Sequence, residues 1–123
     1  MTLLLDTCIL IDVLREKVAA LDWMNRLDRF PSISVVTLSE LHGGAKSQRE
    51  ELAIQKLIKP LQLLPVGREV AVLAGTHRKH FSKSHAVELG DALIAATAEH
   101  YGLALATLNV KHFPMFKKLR APY

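Results

Sequence analysis

Leu3-Leu4-Leu5-Asp6-Thr7 constrains this chain more than any other stretch. Three consecutive leucines, then an acid and a hydroxyl, read as a short buried strand ending in an aspartate. From Cys8 to Arg15 the apolar residues Ile9, Leu10, Val13 and Leu14 recur at helical spacing. Asp6 therefore stands where a strand turns into a helix. In open α/β sheets, ligands bind in the crevice outside the carboxyl ends of the strands, where strand order reverses. If this strand is central, Asp6 lies on the floor of that crevice.

The rest of the chain fits such a sheet. Val18 to Leu27 is a second helical stretch, stopped before Pro31, with Trp23 packed into the core or a groove. Ser32 to Val36 is a β-branched strand candidate, and Thr37-Leu38-Ser39-Glu40 matches the capping box that opens a helix. Gln48 to Ile58 is helical, Leu61 to Leu64 is a strand, and Glu69 to Phe81 is helical again. A polar loop, 82–90, precedes a helix from Asp91 to His100 that stops at Gly102. Leu103 to Thr107 is a fourth strand, and Met115 to Leu119 reads as a short edge strand. This order predicts an α/β fold: a central parallel sheet of four or five strands with helices on both faces, built by residues 1–123 as a single domain.

Three acids fall at comparable places. Asp6 ends the first strand, Glu40 opens the helix after the second, and Asp91 opens the helix before the fourth. Asn109 follows the fourth strand by two residues. Ala95 and Ala98 lie at helical spacing from Asp91 and let that helix press onto the sheet. Two carboxylates ~4 Å apart repel by roughly 4 kcal/mol at an effective dielectric of ~20. A divalent cation cancels this; without one a pKa must rise. Hard oxygen donors, with one cysteine in the chain and no paired histidines, suit Mg2+ or Mn2+. Such an ion activates water and clamps a phosphodiester. Each acid also has a plain structural use: Glu40 completes a capping box, and Asp91 favours a helix N-terminus.

The motifs resemble those of a known family. The stretches LLLDTCILIDVLR, SVVTLSELHGGA and GDALIAATAEHYGLALATLNVKHF resemble the PIN-domain ribonucleases, and more narrowly the VapC toxins of toxin–antitoxin pairs. The resemblance implies an α/β/α sandwich, an acidic Mg2+ or Mn2+ site and cleavage of RNA, often tRNA or rRNA. It also implies a homodimer silenced by a cognate VapB-type antitoxin whose tail occupies the site. By position the family's acids fall on Asp6, Glu40 and Asp91. Many members carry a fourth acid where this chain has Asn109, which puts a second metal ion in doubt. Thr7 and Thr107 match hydroxyl positions of the family, and Glu88 lies within reach of the site. Asp12, common in the opening motif, is expected to pair with Arg15 or to face solvent.

Charge agrees with an anionic substrate without naming it: 16 Lys+Arg stand against 12 Asp+Glu. Basic stretches at Lys46 to Arg49, Arg78 to Lys83 and Lys111 to Arg120 are candidate phosphate contacts, with Phe81, Phe113 and Phe116 among them. For each phenylalanine, core packing is the simpler reading. The six histidines lack zinc-type spacing; His112 draws attention by its closeness to Asn109. The lone Cys8 reads as a small buried hydrophobe and, with no signal peptide or membrane span, fits a cytoplasmic protein. A phosphatase with a nucleophilic aspartate would want a second aspartate where Cys8 stands, and a receiver domain would want an acidic pair before its aspartate. The expected function is a metal-dependent endoribonuclease toxin. The competing reading is a catalytically silent PIN-like module that binds RNA or protein, against which the three acids argue.

Overall fold

The computed structural model describes residues 2–123. Its elements are β1 (Leu3–Leu5), α1 (Thr7–Leu14), α2 (Val18–Asn25), β2 (Ser32–Ser34), α3 (Val35–Gly44), α4 (Gln48–Ile58), β3 (Gln62–Leu64), α5 (Arg68–Phe81), α6 (Leu89–His100) and β4 (Ala104–Ala106). A 3-10 turn, Val110–His112, follows β4. The described strands form one sheet in the order β3-β2-β1-β4, and every pairing is parallel. Strand β1 is thus central, and strand order reverses across it. The expected α/β/α sandwich is present, with four strands.

Both faces of the sheet are covered, which explains an unbroken leucine run. Leu5 joins Ile9, Leu10, Ile33, Leu41 and Ile54 in a core beneath α1, α3 and α4. Leu4 joins Ile94, Ala95, Ala98 and Phe113 on the opposite face. Helix α6 presses closely because Ala92, Ala95, Ala96 and Ala98 are fully buried. It ends where Gly102, at φ 65°, lets the Leu103 N–H reach the Ala98 carbonyl at 2.8 Å. No helix among the described residues is long and apolar enough to cross a membrane.

Three local expectations are corrected. The Ser32–Val36 strand stops at Ser34, whose hydroxyl accepts from Val36 N–H at 3.0 Å and caps α3. The β-branched run Val35-Val36-Thr37 is therefore helical, and the Thr37–Glu40 capping box does not form. Met115 to Leu119 is not a strand. Pro114 supplies no backbone donor there, and Met115, Phe116 and Leu119 turn inward against the core instead. Asp12 pairs with Lys17 at 3.7 Å and accepts from the Tyr123 hydroxyl at 2.8 Å, rather than meeting Arg15. Trp23 packs on Tyr123 with ring centroids 6.1 Å apart, and Phe113 is fully buried.

Candidate functional site

Asp6 is the first residue beyond β1. Its backbone N–H continues the ladder to the Ala106 carbonyl at 2.9 Å, so its position follows from the sheet. The side chain is only 3% exposed, yet it is not an orphan. Oδ1 accepts from the Thr7 N–H at 2.8 Å, capping α1, and Oδ2 accepts from the Thr107 hydroxyl at 2.6 Å. The Cys8 thiol adds a weak bond to Oδ2 at 3.4 Å. Cys8 is thus half-buried beside the acid, not a mere core filler. Burial, then the charge of Asp6, pushes its thiol pKa up, so it stays a protonated donor.

Glu40 lies in the second turn of α3. Its Oε1 accepts from the Thr7 hydroxyl at 2.5 Å, and Thr7 also meets the Thr37 hydroxyl at 3.0 Å. A hydroxyl has one proton, so Thr7 gives its own to Glu40 and accepts that of Thr37. On the other side, Asn109 N–H donates to Thr107 Oγ1 at 2.9 Å, and Thr107 donates to Asp6. Two short relays, Thr37–Thr7–Glu40 and Asn109–Thr107–Asp6, hold two of the acids.

Asp91 sits in the first turn of α6, with Oδ2 3.3 Å from His112 Nδ1. Its pKa is raised to about 6, first by burial, then by the charge of Asp6 and also by Glu40, with His112 opposing. Asp91 therefore feels both other carboxylates. Asp6, Glu40 and Asp91 line one cavity of about 380 Å3 with Thr7, Cys8, Ile11, Glu88, Gly90, Asn109 and His112.

The structure thus brings together Asp6, Glu40, Asp91, Asn109, Thr7 and Glu88. Thr107 stands behind the wall, holding Asp6. Asn109 enters the hydrogen-bond network through its backbone: its N–H donates to Thr107, and its carbonyl accepts from the His112 N–H at 2.9 Å. Among the described residues, no three His, Cys, Asp or Glu side chains stand at ligand spacing around one point. Glu40 is turned to Thr7 and Asp91 to His112. Thr37, Gly90 and Ile11 were missed by sequence reasoning. For Gly90 the signal was its place beside Asp91: a Cβ there would lie 3.0 Å from Glu40 Oε2, so only glycine leaves the Glu40 carboxylate its present room.

The fold and pocket together define a class: α/β/α sandwiches whose acids gather at the carboxyl edge of a parallel sheet. A model of the PIN domain family matches residues 3–119. Ribonuclease VapC10 of Mycobacterium tuberculosis is 42% identical over 98% of this chain and 92% of its own length. Among solved structures, a toxin–antitoxin complex from Klebsiella pneumoniae gives a TM-score of 0.85 at 27% identity, covering 99% of this chain and 98% of that one. DNA-bound VapBC from Salmonella typhimurium gives 0.82 at 25% identity, covering 98% and 96%. The chain belongs to the PIN-domain family, in its VapC branch.

Proposed function

We propose that this chain is an endoribonuclease toxin that hydrolyses RNA phosphodiester bonds with a divalent cation, Mg2+ or Mn2+, held by Asp6, Glu40 and Asp91. The observation that carries the reading is a buried aspartate at the central strand's end, held by its neighbours and facing a cavity shared with two more acids. The donor set fits such an ion. It is carboxylate oxygen from three elements, and the adjacent thiol is held protonated. When bound, the cation offsets the mutual repulsion of the acids, activates water and polarises the phosphate.

The chain's own residues do the positioning. Thr7 and Thr107 hold Glu40 and Asp6 at the cavity wall through charge-assisted hydrogen bonds. Asn109 and His112 stand on the cavity rim, where their polar atoms can meet phosphate oxygens. Hydrolysis adds water across one P–O bond, leaving a phosphate and a free hydroxyl.

The relatives' names support the toxin reading: ribonuclease for VapC10, and toxin–antitoxin complexes for the structural neighbours. We take the chain to be neutralised by a cognate VapB-type antitoxin, to act as a dimer and to work in the cytoplasm on tRNA or rRNA. An apolar groove of about 280 Å3, lined by Ile11, Leu14, Leu41 and Ile54, meets the acid cavity at Ile11 and Glu40. It supports an inhibitory segment that reaches the acids from that side. The test is Glu40→Gln, which keeps size and shape. Cleavage of an RNA panel in Mn2+ should fall at least a hundredfold; full activity would make Glu40 structural.

A further inference from the structure

We propose that the carboxyl end of α5 and the turn after it form a docking arm for the RNA strand beyond the cleaved bond, with Arg78, Lys79 and Lys83 on its phosphates. This rests on the ribonuclease reading and adds where the substrate's flank is held. The arm is tied to the acid cavity by geometry. Arg78 Nε donates to the Val87 carbonyl at 3.2 Å, and the next residue, Glu88, lines the cavity with Gly90. The turn is closed tightly: the Phe81 carbonyl accepts from the N–H groups of Ser84, His85 and Ala86 at 3.2, 2.9 and 3.1 Å. Ala86 holds φ 48°, a conformation an alanine adopts only when its surroundings impose it. A basic helix end is thereby set beside the wall of an acidic pocket.

Electrostatics give the arm its use. The cavity presents Asp6, Glu40, Asp91 and Glu88, which repel a polyanion. RNA needs cations beside the pocket, and most of its affinity comes from phosphate contacts. Among the described residues the ion pairs involve Lys17, His42, His77 and His112, so Arg78, Lys79 and Lys83 have no carboxylate partner. All three are exposed. Basic residues in a last helical turn also favour the helix dipole. That accounts for Arg78, Lys79 and His80 but not for Lys83, which lies beyond the helix. His80 and His85 meet the Phe81 ring edge-on, with centroids 4.7 and 5.8 Å away. They are exposed planar rings on which unpaired bases can stack.

A second basic pair supplies the control. Arg26 and Arg29 line a cavity with Thr2, Leu3 and Pro31, at the amino ends of β1 and β2 and so at the opposite edge of the sheet. The experiment compares Lys79→Glu/Lys83→Glu with Arg26→Glu/Arg29→Glu, which change net charge equally. Binding of a 20-nucleotide unpaired RNA is titrated in chelator, with Asp91→Asn present to stop cleavage, at several salt concentrations. Cleavage is measured in the Asp91 parent. The arm pair should weaken binding roughly tenfold and make log K against log salt shallower by about 1.4, two single-strand contacts. KM should rise with kcat within twofold, and the control pair should change none of these. Lys79→Gln/Lys83→Gln, which carries no new charge, should give about half the loss in log K. Unchanged binding and slope in the arm pair, or equal losses in both pairs, would overturn the arm. A parent chain that binds through the arm but cuts no RNA contradicts the ribonuclease reading and leaves the arm standing. One that cuts RNA with binding indifferent to the arm contradicts the arm alone.

Discussion

Asp91→Asn should make the metal-free protein more stable while disabling it. Burial and the charges of Asp6 and Glu40 raise the Asp91 pKa from 3.8 to about 6. A displacement of that size corresponds to about 3 kcal/mol against the ionised form at neutral pH. The side chain keeps 19% of its surface exposed and its cavity is open, so solvent screening reduces the realised cost to about 1.5 kcal/mol. Asparagine removes the charge and keeps the shape. In chelator at pH 7.5, urea unfolding should show the variant more stable by about 1.5 kcal/mol, or about 6 °C in Tm. The pH dependence has a fixed sign. A carboxyl whose folded pKa is raised contributes stability that is fully present below 3.8 and lost as pH rises through about 6. The advantage of the variant should therefore be complete above about pH 7 and shrink as pH falls toward 4. Saturating Mn2+ should reverse the order, stabilising the parent and leaving Asp91→Asn nearly unmoved. A variant no more stable than the parent in chelator would refute the claim that burial and the neighbouring acids penalise an ionised Asp91.

Gly90→Ala should retain or slightly raise stability, since alanine favours a helix over glycine by up to about 1 kcal/mol. Its Cβ would meet Glu40 Oε2 at 3.0 Å, displacing that flexible carboxylate; RNA cleavage should drop at least tenfold while the melting temperature does not fall. Thr107→Val removes the donor to Asp6 Oδ2 and the acceptor of the Asn109 N–H. It should cost about 2 to 3 kcal/mol in urea unfolding and weaken Mn2+ binding by calorimetry.

The fold was legible because its signals are redundant. Leu3–Leu5, the alanine face of α6 and Gly102 each announce one element, and their order leaves little choice of topology. The acids were legible because carboxylates just after strands or in the opening turns of helices project to one sheet edge, even though Glu40 lies a turn deeper in α3 than its capping pattern indicated. The misreadings share a cause. Val35 to Thr37 and Met115 to Leu119 both carry local patterns that tertiary contacts override. Ser34 caps α3 three residues early, which moves Thr37 from a cap to a donor in the site. The link between Gly90 and Glu40 joins residues fifty positions apart in the chain. No local pattern encodes it.

The most direct test is cleavage of an RNA panel by the purified, antitoxin-free chain, in Mn2+ and in chelator, beside Asp91→Ala. Discrete fragments from the parent in Mn2+, with none in chelator and none from the variant, are the predicted result. Fragments that persist in chelator, or that survive Asp91→Ala, would contradict a cation-dependent site built on Asp6, Glu40 and Asp91.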